Sequence, residues 1–190
     1  MSRIIAGLVG SLRLAAPANV TRPTADRVKE SLFSALESMD AIAGARVLDL
    51  FAGTAALGLE AISRGAVSLT AVEKSKAAAL ICKKNIDLVQ SALAKQNLAP
   101  DIQLVTKEAE SFLKSSESKF DLVLLDPPYE MSNQRVKEVC QLLLGALAPD
   151  ALVVLERGSR EATPQVPGLE LQSQKTYGDT SVYFFRVSAQ

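Results

Sequence analysis

The sequence of 190 residues contains no histidine. This absence excludes Ser-His-Asp and Cys-His catalysis, and it excludes metal sites built on imidazole ligands. Any reaction must therefore use carboxylates, amides, hydroxyls, lysines, arginines or positioning alone. Cysteine is scarce as well: Cys82 and Cys140 lie far apart and outside any Cys-x-x-Cys pair. We expect both thiols to be reduced and buried, and we expect no bound metal.

Long apolar runs are also missing. No stretch could span a bilayer, and the amino terminus lacks the hydrophobic region of a signal peptide, so the sequence predicts a cytoplasmic protein without a membrane partner. The net charge is zero and 48% of the residues are hydrophobic, which predicts one compact domain and, by default, a monomer. The first 35 residues nevertheless carry five basic and two acidic residues, a local charge of +3 (five minus two). The basic residues are Arg3, Arg13, Arg22, Arg27 and Lys29.

Alternating strands and helices dominate the chain from residue 46 onward. Apolar runs predict parallel strands at 47–51, 69–72, 102–105, 120–125 and 152–155, separated by helices that end near 64, 96, 114 and 147. Two further apolar segments, 169–177 and 181–187, flank Gly178-Asp179 and predict an antiparallel edge hairpin. The pattern predicts an α/β, Rossmann-like fold with a mostly parallel sheet. Residues 1–42, with a short hairpin within 4–14 and a helix at 24–39, are expected to form an amino-terminal extension, and residues 43–190 the catalytic domain.

A glycine-rich turn follows the first of these strands, between Asp49 and Gly58. Gly53 permits close approach of the backbone to a ligand, and Glu73, at the end of the next strand, is placed to accept hydrogen bonds from both hydroxyls of a ribose. Each feature alone also fits an ordinary strand-to-helix turn, but together they indicate a nucleoside cofactor. Asp49 would repel the pyrophosphate of NAD, whereas it suits the cationic amino and sulfonium groups of S-adenosylmethionine (AdoMet). The candidate cofactor-binding residues are Asp49, Phe51, Gly53, Thr54, Glu73, Lys74, Glu108, Ala109 and Asp126.

The tetrapeptide Asp126-Pro127-Pro128-Tyr129 ends the strand at 120–125 and is the strongest catalytic signal. Two prolines cannot continue a sheet ladder, so they leave a carboxylate, a rigid turn and an aromatic ring at the carboxyl end of a central strand. In open α/β sheets this edge binds ligands. A carboxylate and a carbonyl there are able to accept both hydrogens of a planar exocyclic amine, while the ring of Tyr129 stacks on the base. The four residues of the tetrapeptide are therefore the candidate catalytic residues.

Several longer segments together resemble the RsmD family, the bacterial 16S ribosomal RNA guanine-N2 methyltransferases. They are Arg3-Ile-Ile-Ala-Gly7, the segment 21–33, Leu48-Asp-Leu-Phe-Ala-Gly53 and the segment 57–66, and the resemblance runs from Arg3 to about Tyr183. Two positions depart from the family pattern. Ala55 stands where the family usually has glycine, which would crowd the cofactor or alter the turn, and Glu108 stands where the family commonly has aspartate.

The resemblance implies AdoMet-dependent methylation of the N2 amino group of a guanine in 16S rRNA. The partner would be 16S rRNA or a partly assembled small ribosomal subunit, and the five basic residues of the extension would contact its phosphates. Three alternatives remain open. A DNA adenine-N6 methyltransferase would use the same tetrapeptide, an NAD-dependent oxidoreductase would share the nucleoside site, and a non-catalytic RNA-binding module would retain only the basic surface.

Overall fold

The computed structural model of the protein describes residues 2–16 and 23–188. A two-residue antiparallel pair opens the fold, β1 (Ser2–Arg3) with β2 (Arg13–Leu14), and helix α1 (Pro23–Ser38) follows. Strands and helices then alternate: β3 (Arg46–Asp49), α2 (Ala56–Ser63), β4 (Ser68–Val72), α3 (Lys76–Ala94), β5 (Asp101–Val105), α4 (Ala109–Ser115) and β6 (Phe120–Leu125). The last elements are α5 (Asn133–Leu143), a 3-10 turn (Leu144–Ala146), β7 (Leu147–Gly158), β8 (Leu169–Tyr177) and β9 (Thr180–Val187).

Seven strands form one sheet in the order β5-β4-β3-β6-β7-β9-β8. The five strands from β5 to β7 are parallel, whereas β9 pairs antiparallel with both β7 and β8. The predicted mostly parallel sheet with an antiparallel edge hairpin is thus confirmed. The strand order reverses between β3 and β6, and such switch points bind ligands outside the carboxyl ends of the strands.

Alternate residues of the central strands supply two cores, one on each face of the sheet. Val47, Leu122 and Leu124 face a core shared with α1, α2 and α3, while Leu48 and Val123 face one shared with α4 and α5. Side chains alternate between the two faces of the sheet, and helices cover both faces. Both sets of side chains are therefore buried, which explains why the strands are continuous apolar runs in the sequence. No helix in the described ranges is long and apolar enough to cross a membrane.

The predicted amino-terminal extension packs into the first of these cores. Ile4, Leu32, Phe33 and Leu36 are completely buried there. The hairpin pairing continues beyond β1 and β2, because the amide of Ile4 donates to the carbonyl of Leu12 and the amide of Ser11 to the carbonyl of Ile4, both at 2.9 Å. Amides in the loop between these residues bond to α2. The amides of residues 5 and 6 donate to the carboxylate of Glu60 at 2.7 and 3.1 Å, and those of residues 8 and 9 donate to Ser63. The functional division at residue 42 stays a prediction.

Close contact between the extension and α2 requires a glycine. A Cβ added at Gly7 would lie 2.0 Å from the carbonyl oxygen of Ser63, and the residue has a φ of +86°. The hydroxyl of Ser63 donates to the carbonyl of Ala6 at 2.6 Å, which fixes the loop from the other side. Glycine at position 7 is therefore a requirement of packing.

Candidate active site

A cavity of about 320 Å³ opens at the carboxyl ends of β3, β4, β5 and β6. Its volume falls within the range of small-molecule sites. Ten of the predicted residues line it: Phe51, Gly53, Glu73, Lys74, Glu108, Ala109, Asp126, Pro127, Pro128 and Tyr129. Sequence reasoning missed other lining residues, namely Leu50, Val72, Lys107, Glu110, Met131 and Arg135.

Glu73 ties the glycine-rich turn to the end of β4. One carboxylate oxygen accepts from the amide of Gly53 at 2.8 Å, and the other accepts from the amide of Ser75 at 2.7 Å. Gly53 has a φ of +53°, so its amide reaches Glu73 from a left-handed conformation. Each carboxylate oxygen keeps a second lone pair for a ligand on the cavity side.

Asp49 lies beneath the turn and does not line the cavity, and its contact with the cofactor stays a prediction. Its carboxylate is buried and accepts from the amide of Gly58 at 3.0 Å. A Cβ at Gly58 would lie 2.5 Å from the side chain of Leu69 and 3.1 Å from this carboxylate, so only glycine fits. Burial raises the pKa of Asp49 to about 7, and the nearby charges of Asp126 and Glu73 add to the shift.

The rest of the turn is also held from outside the cavity. Thr54, a predicted cofactor residue, does not line the cavity, and its carbonyl accepts from the side-chain amide of Asn85 at 2.9 Å. Asn85 is buried on α3 and exchanges two further hydrogen bonds with the backbone of Ala15, at 2.7 and 3.0 Å. The sequence signal for Asn85 was a polar residue within the apolar stripe of a long helix.

Ala55 adopts the left-handed conformation, with φ 59° and ψ 24°, just before α2. This conformation explains why glycine is favoured at the position. The side chain is completely buried in the core with α2 and does not line the cavity. The burial of this methyl group argues against crowding of the cofactor, and the effect of Ala55 on the cofactor stays a prediction.

The proline turn places Asp126 and Tyr129 at the rim of the cavity. The amide of Met131 donates to the carbonyl of Pro128 at 2.9 Å and closes the turn, and the ring of Tyr129 stays 66% exposed. Asp126 is exposed and lines the cavity. Partial desolvation by the protein around the carboxyl group raises the pKa of Asp126 to about 6.

Glu156 is a further acid that sequence reasoning missed. Leu125 pairs with Leu155 in the β6–β7 ladder, so Glu156 follows at the level of Asp126 on the neighbouring strand. Burial raises the pKa of Glu156 to about 8, and the charges of Asp126 and Asp49 add to the shift. The signal was a charged residue just after the apolar run at 152–155.

These three carboxyl groups have no cationic partner in the described part of the chain. No lysine or arginine nitrogen of residues 2–16 or 26–188 lies within 4.0 Å of the carboxylates of Asp49, Asp126 or Glu156. Three partly desolvated carboxyls in one region favour a cationic ligand and disfavour an anionic one.

The opposite wall of the cavity is mixed in charge. Arg135 of α5 donates to Glu110 at 2.7 Å and lies 3.9 Å from Glu108. The hydrogen bond from Arg135 lowers the pKa of Glu110. Glu108 directly precedes α4 and Ala109 begins it, so both predicted residues lie where β5 ends and face the cavity.

The predicted RNA-binding residues fall into different environments. Arg3, Arg13 and Arg27 are exposed, although Arg3 also lies 3.5 Å from Asp26. Arg22 lies outside the described residues. Lys29 is a correction: its side chain is only 7% exposed, its ammonium donates to the carbonyl of Arg3, and it lies 3.5 Å from Glu60. A buried, paired ammonium does not reach RNA phosphates.

The fold and the site together define a Rossmann-like protein of the AdoMet-dependent methyltransferase class. A family model described as "Conserved hypothetical protein 95" matches residues 2–186. The Ribosomal RNA small subunit methyltransferase D of Escherichia coli is 33% identical over 192 residues, covering 99% of this chain and 91% of that protein. The chain belongs to this family, in agreement with its predicted resemblance to the RsmD family.

Solved structures agree with this assignment. One from Escherichia coli, named as a candidate methyltransferase, has a TM-score of 0.82 and 32% identity, covering 100% of this chain and 99% of that one. The magnesium protoporphyrin IX methyltransferase of Synechocystis, solved with bound AdoMet, shares the fold with a TM-score of 0.65 at 12% identity, over 87% of this chain and 80% of that one. The predicted Rossmann-like methyltransferase fold is confirmed.

Proposed function

We propose that this protein is an AdoMet-dependent methyltransferase that modifies the exocyclic N2 amino group of a guanine in small-subunit ribosomal RNA. The observation that carries the proposal is the position of Asp126-Pro127-Pro128-Tyr129 at the rim of the cavity, where the carboxylate of Asp126 has no lysine or arginine nitrogen within 4.0 Å among the described residues. Membership of the RsmD family supports the substrate class, since the relative from Escherichia coli is named as a small-subunit rRNA methyltransferase.

The donor set suits AdoMet better than a dinucleotide. Glu73 would accept from the ribose hydroxyls, Glu108 would accept from the adenine amino group, and Ala109 would contact the adenine ring. The carboxyls of Asp126 and Glu156 would face the cationic end, where the phosphates of NAD would be repelled. Asp49 would act from below by holding the turn through Gly58. When bound, AdoMet supplies an electrophilic methyl group.

Asp126 and the carbonyl of Pro127 would accept the two N–H bonds of the target amine. This pairing directs the nitrogen lone pair, otherwise conjugated with the ring, toward the methyl group. Positive charge develops on the nitrogen during transfer, and the carboxylate of Asp126 stabilises it. The remaining acceleration comes from alignment of the reacting groups. No strong base is required, because the charged product amine loses its proton readily, and the lack of histidine is no obstacle.

Tyr129 would stack on the target base. A base–aromatic contact of this kind contributes about 1–3 kcal/mol. A base inside a helix does not reach such a pocket, so the target would be an unpaired or flipped nucleotide. Arg3, Arg13 and Arg27 would contact phosphates, with 16S rRNA or a partly assembled small subunit in the cytoplasm as partner and the protein acting as a monomer.

The direct test is methyl transfer from labelled AdoMet to small ribosomal subunits isolated from cells that lack this protein. We expect label in 16S rRNA and, after nuclease mapping, on the N2 atom of one guanine. Label on adenine N6 of duplex DNA would favour the DNA methyltransferase alternative. AdoMet binding by calorimetry without any transfer would favour a non-catalytic RNA-binding module, and retention of NAD instead of AdoMet would favour an oxidoreductase.

A further inference from the structure

A buried arginine lies beside the active site and takes no part in the reaction proposed above. Arg157 is on β7, and its side chain is only 3% exposed. Its Nη2 donates to the carbonyl of Met131 at 2.9 Å and to the side-chain oxygen of Asn133 at 3.0 Å, and it also pairs with Glu161. Its buried Nε has no acceptor among the described residues.

The acceptors of Arg157 form the link between the proline turn and α5. Met131 and Asn133 follow Tyr129 by two and four positions, and α5 begins at Asn133. Met131 is itself fixed to the turn, because its amide donates to the carbonyl of Pro128. A continuous path therefore runs from the guanidinium through Met131 to the second proline of the tetrapeptide.

Helix stability does not account for a cation at this place. The amino terminus of a helix is its positive end, and acidic groups are the ones that stabilise it. A buried guanidinium also carries a large desolvation penalty, which its neighbours offset only when the geometry is good. Glu161 supplies the counter-charge, and the bonds to residues 131 and 133 hold the backbone that leads out of the active site.

Tyr129 depends on this backbone for its position. Its ring is 66% exposed, so few packing contacts of its own hold it in place. The placement of an exposed ring is set by the turn that carries it. Pro127 contributes a carbonyl rather than a side chain, and that carbonyl is likewise aimed by the path of the backbone.

We propose that Arg157 is a positioning residue that fixes the turn from Pro128 to Met131, so that the ring of Tyr129 and the carbonyl of Pro127 meet the target base. This inference rests on the function proposed above. It assigns Arg157 to the binding and alignment of RNA and not to the binding of AdoMet, because the guanidinium contacts neither the glycine-rich turn nor Glu73 or Glu108.

The test compares Arg157→Met and Arg157→Lys with a matched control, Arg46→Met. Arg46 is 49% exposed and pairs with Asp121 at the amino-terminal ends of β3 and β6, away from the cavity, so its loss should change neither measurement. We measure AdoMet affinity by calorimetry, and kcat and KM on small subunits that lack the modification.

We expect Arg157→Met to lower kcat/KM for the particles by about 10–100-fold, the scale of a misplaced contact, with AdoMet affinity unchanged. Arg157→Lys, which keeps the charge and a single donor nitrogen, should recover part of the loss.

A second comparison separates positioning from general stability. If Arg157 acts through Tyr129, then Arg157→Met or Arg157→Lys should cost much less activity in a Tyr129→Ala background than in the wild type. Additive losses, a parallel loss of AdoMet affinity, or full activity of both Arg157 variants would overturn the inference. Should Arg157→Met fail to fold, Arg157→Lys decides the comparison by the same criteria. Failure of the proposed function is distinguishable, because the wild type itself would then transfer no methyl group.

Discussion

The buried carboxylate of Glu60 and the acids at the active site are balanced in different ways. Glu60 is completely buried, and its carboxylate contacts Arg64 at 2.8 Å, Lys29 at 3.5 Å and two backbone amides. Asp126 and Glu156, with Asp49 beneath them, have no lysine or arginine within 4.0 Å in the described part of the chain.

This difference indicates which of the two clusters, the one around Glu60 or the active-site acids, stabilises the fold. A buried charge that is fully paired joins segments, and here it joins the extension, α1 and α2 around Glu60. Carboxyls left without a cation lower the stability of the fold. Such unpaired carboxyls are expected at a site that binds a positively charged ligand or stabilises a developing positive charge. Substitutions in the two clusters should therefore have opposite profiles for activity and stability.

Asp126→Ala should have the largest effect of all on activity. Loss of the carboxylate removes the charge that stabilises the developing positive nitrogen, and we expect kcat to fall by about 10²–10³-fold or more. AdoMet affinity should fall far less than kcat, because the other residues of the site would still bind the ligand, and the free energy of unfolding at pH 8 should not decrease. Methyl-transfer assays and calorimetry measure the first two. Asp126→Asn, which keeps an acceptor, should fall between wild type and alanine, and a fully active Asp126→Ala enzyme would refute the role of this carboxylate.

Glu60→Gln should show the reverse profile, with a large loss of stability. It leaves the charges of Lys29 and Arg64 without their shared counter-ion, and breaking a buried pair in this way costs about 3–5 kcal/mol. Denaturant unfolding measures the change. The matched control is Glu37→Gln, because Glu37 also pairs with Arg64, at 2.9 Å, but is 52% exposed. Its loss should cost less than about 1 kcal/mol, and equal costs for the two variants would contradict the distinction between the clusters.

The stability of the ligand-free protein should fall as pH rises between about 5 and 8. Carboxyls titrate near pH 4 in the unfolded chain, while burial raises the pKa of Asp126, Asp49 and Glu156 to about 6, 7 and 8. The folded state therefore binds more protons in this window, and ionisation of the three acids destabilises it. Thermal unfolding at several pH values measures the slope.

The cationic ligand should change this pH profile. AdoMet favours the ionised carboxyls, so it should raise the melting temperature more at pH 8 than at pH 5. Asp126→Asn should flatten the slope of the ligand-free protein, because it removes one of the three titrating groups. A stability that rises with pH across this window in the free protein would contradict the assignment of unpaired carboxyls.

The smallest effect is expected for Ala55→Gly. Glycine relieves the left-handed conformation, which costs an alanine about 1–2 kcal/mol, but it removes a buried methyl group worth about 0.8 kcal/mol and loosens the unfolded chain. We expect a net change in the free energy of unfolding within about 1 kcal/mol of zero, and unchanged AdoMet affinity by calorimetry. A marked gain in affinity would mean that the methyl group of Ala55 does reach the cofactor.

Much of the site was predictable because it sits where strands end. The bounds of β6 were predicted correctly, since an apolar run ends at two prolines. The carboxyl ends of parallel strands meet at one edge, so Glu73, Glu108 and Asp126 were brought together by topology alone.

What the sequence did not reveal depends on contacts between distant segments. Lys29 looked like a surface cation because its partner, Glu60, lies on another helix. Glu156 was missed because the strand was predicted to end at residue 155. In the structure β7 continues to Gly158, so Glu156 lies within the strand, beside the end of β6. Asn85 was missed because its acceptors belong to the backbone of Ala15 and Thr54, and backbone acceptors leave no mark in the sequence.

The strand order also constrains how the chain can be assembled. β9 lies between β7 and β8, so a strand that is made later separates two that are made earlier. During synthesis β8 emerges before β9, the strand with which it pairs, and until β9 is made one edge of β7 stays unpaired. Tyr183, Phe184 and Phe185 arrive last and fill both faces at once. The antiparallel half of the sheet therefore closes only after β9 has been translated, when the strands that line the cavity have long been synthesised.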